Sequence, residues 1–397
     1  MKILIVRPMP EFSMDVYAEG LIAGLKAVRP DWQIRVMAPE AYDRTSRSWS
    51  VRWQKYTERF WHFPQRVKQQ AIAFGADLIH ILDHSDGHLV YTLQSTGIPV
   101  VATCHDLINF LYPENLKGSV KLPYVSDALW KHSVKGLQQA HRVVTVSQQT
   151  AQDVRSILGI GGDRIQVIPN AVEPLFQPLP SSAKPDLRPH HGISPDDFLL
   201  LNVGSNHPRK NLSTLLQAIQ ILCDRHLPIH LLKVGADFTP DQQTLIQTHH
   251  LPVTSAGRPD RATLVQYYNA ADLLVAPSTH EGFGMTLLEA MACGIPIVTA
   301  NQSALPEVIG EAGLQVNPQD ASAIADAIHH LYQDTALRST LRQRGLLRVR
   351  GFTWDAIATQ MAQLYEQVYQ SRSRPHPELI YHRRDAETQR EPGEMRR

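Results

Sequence analysis

The sequence has few cysteines, no long apolar run and almost no net charge. Its three cysteines are far apart in 397 residues and lack the spacing of a metal site or a disulfide framework, so we expect reduced thiols in a cytoplasmic protein. No run of about 18 apolar residues occurs, and a transmembrane helix is therefore not expected. The formal net charge of +1 gives no general attraction to nucleic acid.

Short apolar runs instead alternate with segments of helical periodicity. The runs typical of buried strands form two series, at residues 2–6, 33–37, 78–82, 100–103, 143–146 and 165–168, and at residues 199–203, 230–234, 252–255, 273–276 and 295–299. Strands that alternate with helices predict parallel sheets covered on both faces. Two such series predict two Rossmann-like, doubly wound α/β domains.

The boundary between the two series is rich in proline and serine. Residues 172–194 lack periodicity and are predicted to form a linker. We therefore expect an N-terminal domain at residues 1–171 and a C-terminal domain at residues 195–350. An apolar stripe predicts a final helix at residues 351–370. Residues 371–397 are polar, without a core pattern, and are predicted to be a disordered tail.

Two glutamates, Glu281 and Glu289, flank the predicted start of a helix at Met285. The free N–H groups and the positive end of such a helix suit a phosphate or a hydroxyl-rich ligand. A carboxylate at Glu289 could accept two hydrogen bonds from the vicinal hydroxyls of a ribose. Spacing alone leaves a second interpretation equally open, in which Glu281 is a first-turn charge and Glu289 a solvated residue.

A second cluster follows the predicted strand at residues 199–203. The strand ends at Gly204, and the loop after it carries His207, Arg209 and Lys210. Two adjacent cations at the carboxyl end of a strand could neutralise a diphosphate. An ordinary basic loop is the alternative.

Polar residues also follow two strands of the first series. His105 and Asp106 come after one strand, and Asp83, His84 and Asp86 come after another. Ligands of open α/β sheets bind beyond the carboxyl ends of the strands, which makes these side chains candidates for a polar role. A lone histidine is more often structural. The two aspartates offer too few oxygen ligands for a strong divalent metal site.

Residues 47–70 combine aromatic and basic side chains at close spacing. They are Trp49, Trp53, Phe60, Trp61 and Phe63, with Arg47, Arg52, Lys55, Arg59 and Arg66. The simplest interpretation is a helix with inward aromatics and solvated charges. An acceptor-docking element and a membrane-surface element are the alternatives.

Taken together, these motifs resemble those of retaining family-4 glycosyltransferases. The family's signature of two glutamates separated by seven residues is matched by EGFGMTLLE, and its second domain is similar in GSNHPRKNL, AADLLVAPSTHEGFG and EAMACGIPIVTANQSALPEVIGEAGLQVNPQD. The segment that closes its first domain resembles VSQQTAQDVRSILGIGGDRIQVIPNAVEPLF. The resemblance covers about residues 100–320. It implies the GT-B fold, in which two Rossmann-like domains face a central cleft and a C-terminal helix packs back on the first domain.

The resemblance implies a nucleotide-sugar donor in the second domain and a glycan or lipid-linked acceptor in the first. It implies that Glu289 binds the donor ribose and that Glu281 contacts the donor sugar. Arg209 and Lys210 are expected to hold the diphosphate, and His105 to lie near the transferred sugar.

Further expected contacts complete these sets. The donor-binding residues are then Glu289, Gly282, Phe283, Gly284, Met285, Thr286, Gly204, Gly235 and Arg258. The acceptor-binding residues are Asp106, Asp83 and His84. Two departures from the family pattern affect this assignment. The loop after the first strand, RPMPEFSMDVYAEGL, has no Gly-Gly pair, and Gly204 precedes Ser205 where many members have arginine, which leaves the cationic role to Arg209.

The implied reaction is transfer of a hexose, mannose or glucose, with retention of configuration and without a metal or another cofactor. A non-catalytic sensor of nucleotide sugars and another GT-B enzyme, such as an epimerase, are the alternatives. We expect no nucleic-acid partner. We expect a cytoplasmic location, with peripheral contact at the inner membrane surface through residues 47–70 as a further option.

Overall fold

Two parallel sheets, each covered by helices, make up the molecule. The computed structural model describes residues 1–8, 12–40, 53–54, 56–112, 124–180 and 187–372. In this described part, no helix is both long and apolar enough to cross a membrane. Residues 371 and 372 of the predicted disordered tail are described and helical, which contradicts the prediction for these two residues, whereas residues 373–397 and most of residues 47–55 lie outside the described part.

The first sheet is formed by the N-terminal half of the chain. Its strands are β1 (Lys2–Val6), β2 (Gln33–Met37), β3 (Leu78–Ile81), β4 (Val100–Cys104), β5 (Arg142–Thr145) and β6 (Ile165–Val167). All pairs are parallel, in the order β2-β1-β3-β4-β5-β6. Every residue of β3 and β4 is buried, because helices cover both faces of the sheet.

The described residues of this half of the chain form six α-helices. They are α1 (Phe12–Val28), α2 (Phe63–Phe74), α3 (Leu89–Leu93), α4 (Ile108–Leu111), α5 (Tyr124–Lys135) and α6 (Gln148–Leu158). Ser147 caps α6 by accepting a hydrogen bond from the Thr150 N–H, and Gly159 ends the helix in the left-handed region at φ +64°. This cap thus fixes the start of α6 directly after the carboxyl end of β5.

The second sheet is formed by the C-terminal half. Its strands are β7 (Phe198–Gly204), β8 (Ile229–Gly235), β9 (Val253–Ser255), β10 (Leu273–Ala276), β11 (Ile297–Ala300) and β12 (Leu314–Val316), in the order β12-β11-β10-β7-β8-β9. The sequence prediction missed β12, a three-residue edge strand that is only partly buried. It also began β11 at residue 295, two residues early.

Seven helices cover this second sheet. They are α7 (Leu212–Asp224), α8 (Pro240–Thr248), α9 (Arg261–Ala270), α10 (Met285–Cys293), α11 (Leu305–Ile309), α12 (Ala321–Gln333) and α13 (Thr335–Arg348). The buried face of α7 carries the leucine and isoleucine residues whose periodicity predicts it. Helix α10 begins at Met285, the residue expected from the sequence.

The last helix, α14 (Trp354–Arg372), returns to the first sheet and packs along α1. Its apolar stripe is buried in the same cluster as β1 residues Ile3 and Ile5. The two helices approach closely at Gly20, where an added Cβ would overlap the Trp354 ring. A C-terminal segment thus completes the core of the N-terminal half.

The connection between the two halves packs against the second one. The Phe176 ring is buried in its core, and the Leu179 N–H donates to the Asn269 side chain at 2.7 Å. Of the predicted linker, residues 181–186 are outside the described part of the chain.

Candidate active site

The two cations after β7 bind one carboxylate after β10. Arg209 Nη1 lies 2.5 Å from Glu281 Oε2, and Lys210 Nζ lies 2.5 Å from Glu281 Oε1. The cations belong to a short 3₁₀ turn, Pro208–Lys210, and all three side chains are at most 19% exposed. Since β7 and β10 are neighbours in the sheet, residues about 70 positions apart meet at one edge.

Glu281 is ionised over the whole physiological range. Burial alone would favour its neutral form, but Lys210 and Arg209 outweigh burial and lower the pKa of the carboxyl to about 2. The backbone is fixed as well, because Ser303 accepts from the Glu281 N–H at 3.0 Å and donates to its carbonyl oxygen at 2.9 Å. A rigid carboxylate with two attached cations results.

Helix α10 starts directly after this carboxylate. Gly284, at φ +115°, precedes the first helical residue, and an added Cβ there would lie 2.9 Å from Leu305. Phe283 is buried, whereas Met285 and Thr286 are partly exposed. The free N–H groups of the first turn therefore lie beside Glu281, where an anion or a hydroxyl group could bind them.

Gly282 lies against the first domain. A Cβ added to it would overlap the carbonyl oxygen of His105. Its own carbonyl oxygen accepts hydrogen bonds from the Ser147 and Thr150 hydroxyls at 2.6 Å and 3.0 Å. The space beside this glycine is occupied by the His105 backbone. The carboxyl ends of the two sheets thus meet at Gly282.

Further contacts hold the two halves together around this point. The Glu307 carboxylate of α11 accepts from the Gln148 and Gln149 N–H groups at 2.9 Å and 3.2 Å. A carboxylate at the N-terminus of α6 is also favoured by the helix dipole. His280 Nε2 lies 3.6 Å from Asp153 of the first domain.

His105 stands at the carboxyl end of β4, on the first-domain side. Its Nε2 lies 2.9 Å from the Leu82 carbonyl oxygen, which can only accept, so Nε2 carries the proton and Nδ1 the lone pair. The Tyr17 ring meets the imidazole edge-on at 4.7 Å between centroids. Burial lowers the pKa of His105, against the opposing effect of Asp83, and the ring is held as a neutral acceptor.

The other first-domain candidates surround His105. Asp83 is buried and accepts from the Ser85 N–H at 2.6 Å; burial opposes its ionisation, yet His84 and His105 lower its pKa. Asp106 accepts from the Ile108 N–H at 3.1 Å. Among the described residues, the buried His84 Nδ1 has no hydrogen-bond partner, and the His84 ring meets that of Trp130 edge-on at 6.2 Å.

Glu289 lies one turn into α10 and is buried, so the solvated interpretation is wrong. Its Oε2 accepts from the Tyr268 hydroxyl at 2.7 Å, and Oε1 lies 3.7 Å from Arg261. Burial raises the pKa of Glu289, against the lowering effects of Tyr268 and Arg261. Arg261 also pairs with Glu173 of the linker.

The remaining donor candidates differ in their placement. Gly204 and Gly235 end two adjacent strands at φ +145° and +115°, and the Gly235 N–H donates to the Gly257 carbonyl oxygen at 2.7 Å. Arg258 is exposed in the turn before α9. The arginine that reaches Glu289 is Arg261, three residues further on.

The described side chains of the basic-aromatic segment, residues 47–70, lie in three different environments. Phe63 is buried, and Arg59 Nη2 binds the buried Asp86 carboxylate at 2.8 Å. Trp53 and Trp61 are 56% and 62% exposed. Residues 47–52 and Lys55 fall outside the described ranges. The inward interpretation therefore fits Phe63 and fails for the two tryptophans.

Within the described ranges, no group of three or more His, Cys, Asp or Glu side chains could hold a metal ion. Asp83 and Asp86 are engaged by Ser85 and Arg59 instead.

Two Rossmann-like domains that meet at the carboxyl ends of their sheets define the GT-B class of glycosyltransferases. Two family models match the chain, glycosyltransferase family 4 over residues 15–174 and glycosyl transferases group 1 over residues 197–334. The chain belongs to the family-4 glycosyltransferases.

Similar proteins support this assignment. O-antigen chain mannosyltransferase B of Escherichia coli is 32% identical over 67% of this chain and 70% of that protein. The serotype-specific mannosyltransferase WbdA of Escherichia coli is 27% identical over 73% of this chain, which spans only 37% of that protein. Sucrose-phosphate synthase from Thermosynechococcus elongatus is 26% identical, with a TM-score of 0.70 over 93% of this chain and 99% of that one.

Several residues of the site were not foreseen from the sequence. They are Ser147, Thr150, Tyr268, Arg261, Ser303 and Glu307. Ser147 had a local signal, since it follows a predicted strand and precedes a helix. The others act through contacts between distant segments, which periodicity does not report.

Proposed function

We propose that the protein is a retaining hexosyltransferase that moves a sugar from a nucleoside diphosphate to a hydroxyl of a glycan or glycolipid, without a metal. The observation that carries this proposal is the Arg209–Glu281–Lys210 cluster facing His105 across the domain contact. It combines fixed positive charge, a helix N-terminus and a neutral histidine around one point.

The cluster suits departure of a nucleoside diphosphate. Negative charge grows on the β-phosphate as the sugar leaves, and preorganised cations and N–H groups stabilise that charge more than the ground state. Arg209, Lys210 and the first turn of α10 would supply this stabilisation, so the mechanism requires no metal. Glu289, held by Tyr268, would accept hydrogen bonds from the ribose hydroxyls.

Glu281 would face the transferred sugar as an electrostatic and positioning group. Its pKa of about 2 keeps it ionised while the anomeric carbon gains oxocarbenium character. His105 Nδ1 would accept a hydrogen bond from a sugar hydroxyl. The domain contact at Gly282 would exclude water, which favours transfer over hydrolysis.

The first-domain residues around His105 would hold the acceptor. Asp83 and His84 offer hydrogen-bonding atoms, Asp106 lies next to them, and the Trp130 ring offers an apolar face. Polar groups beside an aromatic ring are a usual way to bind a sugar. The 32% identity to a mannosyltransferase makes mannose the first donor sugar to test, with glucose second.

A donor panel tests the proposal. Purified protein is incubated with UDP-, GDP- and ADP-linked mannose and glucose, with and without EDTA, and release of nucleoside diphosphate is followed. We expect slow release from one donor that EDTA leaves unchanged. NMR of a product made with a simple mannoside acceptor should show the anomeric configuration of the donor.

A non-catalytic sensor of nucleotide sugars is the alternative. It would bind a donor, with a rise in unfolding temperature, but release no diphosphate from any member of the panel. Absence of both binding and turnover would contradict the glycosyltransferase and the sensor alike.

We also propose a cytoplasmic location with peripheral contact to anionic membranes. Support comes from the exposed Trp53 and Trp61 rings and from the free thiols of Cys104 and Cys293, which suit a reducing compartment. The wild type should sediment more with phosphatidylglycerol vesicles than with phosphatidylcholine vesicles. Trp61→Ala should reduce sedimentation with the phosphatidylglycerol vesicles. Equal sedimentation of this variant and the wild type would contradict the contact.

A further inference from the structure

Lys233 is a buried ammonium group beneath the candidate diphosphate site. It lies in β8 and is 0% exposed. Among the described residues, no carboxylate lies within ion-pairing distance of its Nζ. The ammonium instead donates to the carbonyl oxygens of Gly204 and Val234, at 2.7 Å and 2.8 Å. Burial of a charge without a carboxylate is costly, which calls for an explanation beyond packing.

The Gly204 carbonyl is the point at which Lys233 meets the site. Gly235 crosses this carbonyl so closely that an added Cβ would overlap its oxygen. On the other side, a Cβ added to Gly204 would lie 3.4 Å from Lys210 Cε. Lys233 therefore contacts the Gly204 carbonyl oxygen, Lys210 packs beside the Gly204 Cα, and the three residues form one packed unit. Because the peptide is planar and trans, a carbonyl fixed on Lys233 directs the Ser205 N–H the opposite way.

The charges of this unit are unbalanced. Among the described residues, Glu281 is the carboxylate within ion-pairing distance of Arg209 and Lys210, and Lys233 has none at that distance, so the formal sum of these three cations and one anion is +2. Burial and the charge of Lys210 lower the pKa of Lys233 to about 8, and Asp237 opposes that effect. An excess of positive charge in a partly desolvated site favours a ligand that brings at least two negative charges.

We propose that Lys233 is a positioning residue for the donor diphosphate. It fixes the Gly204–Ser205 peptide beside Lys210, and its buried positive charge is balanced by the diphosphate. The inference rests on the proposed function. Lys233 itself does not touch the donor, since its side chain is enclosed beneath the Gly204–Ser205 peptide.

The test compares two nucleotides that differ in charge. Thermal unfolding first selects whichever of UDP, GDP and ADP stabilises the wild-type protein most. Calorimetry then gives the Kd of that diphosphate and of its monophosphate for the wild type, Lys233→Met and Lys26→Met. Lys26 is exposed on α1, so its variant removes the same charge far from the site.

We expect Lys233→Met to raise the Kd of the diphosphate about tenfold or more, and that of the monophosphate clearly less. Lys26→Met should change neither. Equal loss for both nucleotides, or no loss, overturns the role of Lys233 while the proposed function stands. If the wild type binds none of the three diphosphates, the proposed function fails and this inference with it.

If Lys233→Met does not fold, a second measurement replaces it. The ratio of the diphosphate Kd to the monophosphate Kd is measured for the wild type at about pH 7 and about pH 9.5, on either side of the pKa of Lys233. The charged groups near Lys233 are Lys210 and Asp237, with Arg209 and Glu281 beyond Lys210. We expect the diphosphate to lose more affinity than the monophosphate at the higher pH. An unchanged ratio overturns the proposal.

Discussion

The Ser147 hydroxyl donates to the Gly282 carbonyl oxygen at 2.6 Å, and so joins a helix cap of the first domain to the loop that carries Glu281. The same serine accepts the Thr150 N–H of its own helix at 2.9 Å. One side chain therefore links the start of α6 to the second-domain loop that carries Glu281. The Thr150 hydroxyl and the Glu307 carboxylate add further contacts between the two domains at the same place.

Gly282→Ala should separate catalysis from donor binding. The added methyl group overlaps the His105 carbonyl oxygen, so the domains must move apart, and displacement of reacting groups by about 1 Å can cost roughly 10²-fold in rate. Donor affinity should change little, because the donor residues lie within the second domain. Steady-state kinetics and calorimetry measure the two effects. Gly351→Ala, whose added Cβ meets open space, is the control; a wild-type kcat for Gly282→Ala would contradict the closed site.

Glu281→Gln should lower kcat and yet bind free nucleoside diphosphate at least as tightly as the wild type. The substitution removes the anion that competes with phosphate for Arg209 and Lys210. Calorimetry with the diphosphate and turnover of the donor give the two quantities. The matched control is Glu311→Gln, which removes an exposed carboxylate of the same domain. Weaker diphosphate binding by the Glu281 variant would show that the carboxylate supports the phosphate site.

Lys210→Ala should lower kcat/KM. The expected decrease corresponds to a loss of roughly 2–4 kcal/mol of transition-state stabilisation, as for removal of one preorganised donor. Its Nζ binds the buried Glu281 carboxylate and lowers the pKa of that group, so loss of the pair should also lower the unfolding temperature. Lys26→Ala serves as the exposed control. If purified Lys210→Ala turns over the donor at the wild-type rate, the diphosphate assignment is wrong.

Tyr268→Phe should weaken donor binding by about 1 kcal/mol, roughly fivefold, through loss of the bond that orients Glu289. The Tyr268 hydroxyl also lowers the pKa of Glu289, so its removal raises that pKa. Protonation of Glu289 removes an acceptor for the ribose. The fall of donor affinity at acid pH should therefore begin at a higher pH in Tyr268→Phe. Tyr267→Phe, at a neighbouring tyrosine bonded to His191, should leave the pH profile of Kd unchanged.

Tyr365→Phe should lower the free energy of unfolding by about 1–3 kcal/mol. The Tyr365 hydroxyl of α14 lies 2.5 Å from Nδ1 of His80, which is fully buried in β3, and its loss leaves that nitrogen without its partner. Tyr369→Phe, on the exposed face of the same helix, is the control. Chemical denaturation of both variants decides the matter, and equal stabilities would contradict a role for this bond.

His80 also makes stability depend on pH. Burial, aided by the charge of His105, lowers its pKa from 6.5 to about 3. Between these values the unfolded chain binds a proton that the folded protein does not. The His80 contribution to stability is therefore lost as pH falls from about 6.5 towards 3. Denaturation midpoints across this window, compared between the wild type and His80→Gln, should converge at low pH.

The sequence by itself determined the two-sheet plan and most strand positions. Buried parallel strands are short apolar runs, and the helices between them repeat at 3.6 residues, so both leave a local signal. The start of α10 at Met285 follows from the same local logic, since Gly284 adopts a positive φ that suits glycine. The edge strand β12 was missed because three half-exposed residues carry too little pattern.

Only the tertiary structure decided which groups meet. Glu281 shares its carboxylate with Arg209 and Lys210, which lie about 70 residues earlier in the chain, because their strands are neighbours in the sheet. Gly282 packs against the His105 carbonyl oxygen because the two sheets face each other there. In the sequence, Lys233 resembles an ordinary strand residue. Its complete burial, which only the structure shows, makes it a charge that needs a compensating anion. Local periodicity fixes elements, whereas desolvation and the pairing of charges depend on contacts between distant segments.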